Sequence, residues 1–261
     1  MQIGGLVTNR FLKIIAIIAF FSLPACVQVG NKPSKENLEK AAHANTQLGA
    51  AYLQEGYLGV ANDKLQKALR QNPKSVQANS VYALLLNELG KTKDAAKYFK
   101  KSLKLAPEDS QVLNNYGTFL CDQGEIDKAI EQFQKALLDP LYSTPEYAYS
   151  NAGACLLDVP DFERAKSFLR KALQRNKTLP SALYQMAKLN YLKGRYAVSK
   201  NYLDRFHQRS GKSAESLWLG IRLAWQLRDK DTASSFGLLL KNKYPDSAEA
   251  QKLLQAESTR R

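Results

Sequence analysis

A spacing of 34 residues governs this chain. The stretch Asn45–Pro73, NTQLGAAYLQEGYLGVANDKLQKALRQNP, shows the unit: Leu48-Gly49, Tyr52, Gly56, Ala61, Leu65, Ala68 and Pro73. Small residues at Gly49, Ala61 and Ala68 allow two helices to approach closely. Leu48, Tyr52 and Leu65 are expected to fill the space between and behind them. Pro73 stops the second helix, since its ring and missing N–H forbid continuation. Counting from Ala42, a second copy starts at Val76 and a third at Ser110. Two extra residues within Asp139–Tyr142 move the fourth start to Glu146, and the period resumes at Pro180 and Ala214. One column reads Ala61, Ala95, Ala129, Ala165, Ser199 and Ala233; the column between the paired helices reads Gly56, Gly90, Gly124, Pro160, Gly194 and Arg228.

This order of residues resembles the tetratricopeptide repeat, a helix–turn–helix of 34 residues. A single hairpin cannot bury its own apolar faces, so copies must stack. The expected fold is therefore all-α, a right-handed superhelical solenoid of six helix–turn–helix repeats over residues 42–247. Residues 248–261 are left as a short polar C-terminal tail. With 44% hydrophobic residues the chain could otherwise be read as one or two globular domains; the repeat replaces that reading.

Residues 1–25 read as an export signal. Arg10 and Lys13 form a positive n-region, and Ile14–Phe21 is an apolar run of eight residues, far short of the roughly 20 needed to span a bilayer. Leu23-Pro24-Ala25-Cys26 resembles a bacterial lipobox, which implies cleavage before Cys26 and acylation of its thiol and new N-terminus. Several acyl chains on one residue give stable anchoring. Val27, with no Asp at that position, implies sorting to the outer membrane, with the body facing the periplasm. Residues 26–41 are polar and without apolar periodicity, and read as a flexible tether reaching about 20 Å. The net charge is +14, or +12 without residues 1–25, which favours acidic partners, anionic lipid or polyanionic polymers.

In such a solenoid the first helix of each repeat lines a groove, and partners usually bind there. The register places Asn114, Asn115, Thr118, Asp122, Tyr147, Ser150 and Asn151 on it, followed by Tyr184, Gln185, Lys188 and Tyr191, then Trp218, Arg222 and Trp225. Asn side chains both donate and accept and suit the backbone of a bound segment; aromatic and Arg side chains are frequent hot spots. The competing reading makes several of them packing residues between repeats. Cys121 and Cys155 lie one repeat apart, and two readings stand open: a disulfide, or two buried thiols in helix packing.

The two histidines, His43 and His207, sit in different repeats with no ligand pattern around them. No phosphate-binding loop, nucleophile elbow or dinucleotide fingerprint occurs. The expectation is a non-enzymatic protein with no metal, no cofactor and no small-molecule substrate, which the export signal sends away from nucleic acid.

Val112–Cys121, VLNNYGTFLC, departs from a generic repeat, as do DPLYSTPEYAYSNAGACLL (Asp139–Leu157) and LGIRLAWQLRDKDTASSFGLLLKNKYPDS (Leu219–Ser247). Together with the two-residue insertion, these stretches resemble the type IV pilus biogenesis and stability lipoproteins, the repeat-built pilotins of pilus secretins. The resemblance implies an outer-membrane lipoprotein that helps the secretin subunit reach that membrane and multimerise. It also implies pairing of Cys121 with Cys155. The alternatives from the same features are a lipoprotein adaptor recruiting cell-wall enzymes, a scaffold in envelope assembly, and direct binding of glycan or anionic lipid by the basic body.

Overall fold

The computed structural model describes residues 33–259, and every regular element among them is an α-helix. The chain divides into two units, of which the second begins at Lys35. The expected export signal and Cys26 lie outside the described residues. The second unit contains thirteen helices. Twelve form six hairpins: α1 (Lys35–Gln54) with α2 (Leu58–Gln71), α3 (Val76–Glu88) with α4 (Thr92–Leu105), α5 (Ser110–Asp122) with α6 (Ile126–Ala136), α7 (Pro145–Asp158) with α8 (Phe162–Arg175), α9 (Pro180–Leu192) with α10 (Tyr196–Ser210), and α11 (Ala214–Gln226) with α12 (Lys230–Lys243). A single helix, α13 (Ala248–Ser258), follows. Among the described residues no helix is long and apolar enough to cross a membrane.

Odd-numbered helices touch one another in series from α1 to α13, whereas even-numbered helices touch only odd-numbered ones and α13. Stacking is therefore tighter on the odd side, which becomes the inner face, and the even helices fan out behind it. Each hairpin closes in the same way. The residue after the turn donates its N–H to a carbonyl five residues back, as Tyr57 to Tyr52 at 2.9 Å, Glu125 to Leu120 at 2.9 Å and Arg195 to Asn190 at 2.8 Å. That bond requires a left-handed residue before it, which Gly56, Gly90, Gly124 and Gly194 supply at φ between 69° and 80°. Pro160 and Arg228 stand in the same column, where Arg228 holds the left-handed conformation at φ 58°, which costs a non-glycine residue about 1–2 kcal/mol.

The hairpins are held by one contact repeated down the chain, a small residue of the first helix against a large residue of the second. A Cβ on Gly49 would lie 2.5 Å from Leu65 Cγ, one on Gly117 would lie 2.7 Å from the Phe133 ring, and one on Gly153 would lie 2.5 Å from Leu169 Cγ. Ala61, Ala95, Ala129, Ala165 and Ser199 are fully buried at the start of the second helices. Ser199 keeps that column by donating its hydroxyl to the Ala187 carbonyl at 2.7 Å.

Repeat 6 solves the same problem by exchange. Ile221 stands where other repeats have Gly or Ala, and opposite it Gly237 replaces the usual Leu or Phe. One position earlier on each helix, Gly220 faces Phe236, and a Cβ there would meet the ring at 2.6 Å. Large and small have traded sides. Ala233, expected in the small-residue column, is consequently only part-buried.

Two boundary expectations and one packing expectation are corrected. Residues 35–41, expected in the tether, form the start of α1. They are good helix formers carrying Lys40–Glu36 and Lys35–Glu39 pairs at 2.6 and 3.9 Å, so they continue a helix whose packing begins at Ala42. The polar tail is also largely helical. Ser247 caps α13 by accepting from the Ala250 N–H, and Ala250 and Leu253 are buried over the apolar end of repeat 6. A stack of hairpins ends on an apolar face, and one amphipathic helix covers it. Leu48, expected between the helices, is 47% exposed. Its counterpart Tyr116 packs on Phe99 of the preceding repeat, ring centroids 5.4 Å apart, and among the described residues no hairpin precedes repeat 1.

His207, on α10, is wedged between Phe206 and Phe236 and hydrogen-bonds Ser216 Oγ at 3.0 Å. Burial, aided by the charge of Lys212 and opposed by Asp204, lowers its pKa from 6.5 to about 4. The fold therefore takes up the proton less readily than the unfolded chain does, so stability falls as pH drops from 6.5 towards 4. His207→Gln is expected to remove that component, making the urea midpoint less sensitive to pH across this window than in the parent. Gly117→Leu is expected to lower stability by about 1–3 kcal/mol, because the added side chain must displace Phe133; the urea midpoint measures it.

Candidate functional site: the inner groove

The inner face changes character along its length. In repeats 2 to 4 its amides and hydroxyls bond one another across neighbouring helices. Asn115 is buried and donates to Ser80 Oγ at 3.0 Å, while its oxygen accepts from Gln111 at 3.1 Å. Asn151 donates to the buried Asn114 oxygen at 3.1 Å and more weakly to Thr118 Oγ1 at 3.4 Å. The Thr118 hydroxyl itself donates to the Asn114 carbonyl at 3.2 Å. The Ser150 hydroxyl donates to Ser181 Oγ at 2.9 Å. These residues, placed in the groove by the register, act as the rungs joining one repeat to the next. Both ends of the Asn115 amide and the Asn114 side-chain oxygen have partners within the fold and both side chains are buried, so the contact surface expected of Asn114 and Asn115 is largely structural.

Asp122 is exposed at the end of α5 and accepts from Asn87 at 2.8 Å; partial burial raises its carboxyl pKa. Tyr147, at the start of α7, is 44% exposed. Lys188 reaches across to Asp158 at 3.5 Å. Asp122, Asp158, Asn151, Ala154, Gln185 and Lys188 surround a depression of about 170 Å³, with Thr118, Cys121 and Cys155 also in its lining. Cys121 and Cys155 form a disulfide with Cα atoms 5.8 Å apart, joining the C-terminal halves of α5 and α7. Gln185 Oε1 is buried beside the depression with no donor.

Repeats 5 and 6 present rings and a cation instead. Tyr184 packs on Phe206 at 5.5 Å, and burial raises the pKa of its hydroxyl. Trp218 and Trp225 meet edge to face at 5.6 Å. The Arg222 guanidinium lies over Tyr191 at 4.6 Å and Trp218 at 5.6 Å, held by cation–π attraction. Its Nε is buried and donates to no acceptor. Among the described residues no group of His, Cys, Asp and Glu is arranged to hold a metal ion. The groove offers chemistry for holding a polypeptide, through aromatic faces, one fixed guanidinium and one unpaired amide oxygen.

Tetratricopeptide repeat family models match residues 46–110 and 86–148. The type IV pilus assembly protein PilF of Pseudomonas aeruginosa is 37% identical over 238 residues, covering 90% of this chain and 94% of that protein. The chain belongs to the PilF family. A solved structure of Pseudomonas aeruginosa PilF aligns at a TM-score of 0.64, covering 84% of this chain and 99% of that one. The structure of PilW, a widely conserved type IV pilus biogenesis factor, aligns at 0.67 with 28% identity, covering 82% and 98%. A PilF-family chain is thus a tetratricopeptide solenoid, a fold that serves protein–protein interaction, and its groove is where the residues above converge.

In this PilF-family chain the register placed Trp218, Arg222, Tyr184 and Lys188 on the inner helices, where the structure also has them. The hydrogen-bonded rungs were not predicted, because each requires knowing which helix lies alongside. Alternating Asn and Ser at matched positions of successive repeats was the available signal. For the disulfide, the 34-residue separation gives a closure contribution of about 3–4 kcal/mol from chain entropy. Cys155→Ser, or reduction of the parent, is expected to lower stability by about that amount, read from urea unfolding with and without reductant.

Proposed function

We propose that this protein is an outer-membrane lipoprotein of type IV pilus assembly, acting as a pilotin. Acyl chains on Cys26 hold it at the membrane, and the groove binds a segment of a pilus secretin subunit. Anchoring the groove raises the local concentration of subunits at the membrane, so that they meet and multimerise there. No bond is made or broken. The protein's contribution is capture and placement. The observation that carries this reading is the 37% identity to a type IV pilus assembly protein along 90% of the chain. The lipobox-like Leu23–Cys26 and the stacked Trp218, Arg222 and Tyr191 support its two halves, anchor and grip.

The test is deletion of the gene, followed by probing the secretin in outer-membrane fractions run unheated in SDS. The expected result is loss of multimer on deletion. Cys26→Ala should reduce multimer or shift it to the inner membrane. Trp218→Ala with Arg222→Ala should weaken binding of the secretin segment by about 2 kcal/mol or more, roughly 30-fold, without altering location. Multimer unchanged in amount and place would overturn the reading in favour of an adaptor that recruits cell-wall enzymes.

A further inference from the structure

The basic charge of this protein is not spread over the solenoid. The six even-numbered helices carry twenty-one Lys and Arg against seven Asp and Glu. The seven odd-numbered helices carry five against nine. The groove side is therefore mildly acidic, and the outer side holds the excess of positive charge. Packing accounts for the scarcity of charge on the inner helices, whose buried faces include Asn and Ser side chains bonded across repeats, but not for where the charge gathers on the outer side.

The excess is concentrated further. Helices α4 and α8 each carry five basic side chains against one acid. They flank α6 in the stack, and α6 is followed by the two-residue insertion. At the C-terminal ends of these three helices stand Lys101 and Lys104 on α4, and Lys171 and Arg175 on α8, all exposed. Between them are Leu138 and Leu141, which are 81% and 87% exposed. Leu138 occupies the repeat position that Lys104 holds on α4, so the three ends form one edge. The acids nearby are Glu131, which pairs with Lys135, Asp109, which caps α5, Asp139, which accepts from Ser110 and the Leu141 N–H, part-buried Glu146 and exposed Glu108. The ten basic side chains of α4 and α8 outnumber them.

Leu141 and Leu138 are the two most exposed large apolar side chains among the described residues; the next, Leu238 and Tyr57, are 60% and 59% exposed. Cations suited to phosphate surround apolar side chains suited to the acyl boundary, and that is the chemistry of a protein surface that rests on anionic lipid.

We propose that the α4–α6–α8 edge is a membrane-contact surface, with Leu138 and Leu141 inserted at the headgroup level of an anionic lipid bilayer and the flanking cations on its phosphates. The groove, lined by the odd-numbered helices, is left free for a partner. The surface acts whether or not Cys26 is acylated. If Cys26 is acylated, the edge is the second attachment, and it fixes orientation where acyl chains alone leave the body free to swing.

The test uses the full chain with Cys26→Ser and Leu141→Cys, so that with Cys121 and Cys155 bonded the new thiol alone takes an environment-sensitive fluorophore. A second chain carries Gln226→Cys, exposed at the end of α11, in place of the Leu141 change. Vesicles are phosphatidylcholine alone, or phosphatidylcholine with phosphatidylglycerol, each containing brominated acyl chains as quencher. The expected result is quenching at position 141 about fivefold stronger with phosphatidylglycerol than without, and little at position 226. Quenching should fall back in about 0.5 M NaCl, and be lost when Lys101, Lys104, Lys171 and Arg175 are all changed to Glu. Circular dichroism checks that the reversed chain is folded; if it is not, the salt titration of the parent decides. Equal quenching at both positions or in both lipids, quenching that survives salt, or none at all, would overturn the proposal. No secretin is present, so the result leaves the pilus reading untouched.

Discussion

Every hairpin depends on one steric agreement: where one helix carries a large apolar side chain, the other must carry almost none. Gly49 under Leu65, Gly117 under Phe133 and Gly153 under Leu169 are three instances, each with no room for a Cβ without displacing the partner. The agreement sets how closely the paired helices approach, and hence the thickness of each layer. Layers of equal thickness stack with a constant offset, and a continuous groove needs that constancy. Repeat 6 shows that the rule concerns volume and not position. Ile221 and Gly237, with Gly220 and Phe236, reverse the arrangement while keeping the interior filled.

Between layers the agreement is polar. Asn115 with Ser80, Asn151 with Asn114 and Thr118, and Ser150 with Ser181 join neighbouring inner helices, and the Cys121–Cys155 bond adds a covalent rung. These groups lie where water is largely excluded, and leaving one unpaired would cost about 1–3 kcal/mol. Repeats 2 to 4 are thus held in a definite orientation. Beyond them the inner face carries Tyr191, Trp218 and Arg222, with the Arg222 Nε and Gln185 Oε1 buried and unbonded. The half of the groove in repeats 2 to 4 is bonded within itself, and the half in repeats 5 and 6 carries the aromatic rings and the guanidinium.

The division of charge follows from this arrangement. Inner helices must touch two neighbours of their own kind and give up charged positions to small polar ones. Outer helices have a free face and can carry charge without desolvation cost. That accounts for where lysines are permitted, though not for their concentration on α4 and α8 around two bare leucines.

The sequence by itself determined the layers. A 34-residue recurrence of small and large residues dictates hairpins that must stack, and the glycines before four of the six second helices mark where the chain turns. These are local or near-local demands, readable because each falls at a fixed separation along the chain. Tertiary structure alone decided which groove residues bond to the next repeat. Asn114 and Asn115 look alike in sequence to free recognition groups, yet their bonds go to residues about one repeat away. It also decided the two ends. Lys35–Lys40 is helical because α1 extends ahead of its packed portion, and Ala248–Ser258 is helical because repeat 6 exposes an apolar face that something must cover. Composition could report a basic chain but not that the charge lies behind the groove, since the side of a helix facing outward is defined only once its neighbours are in place.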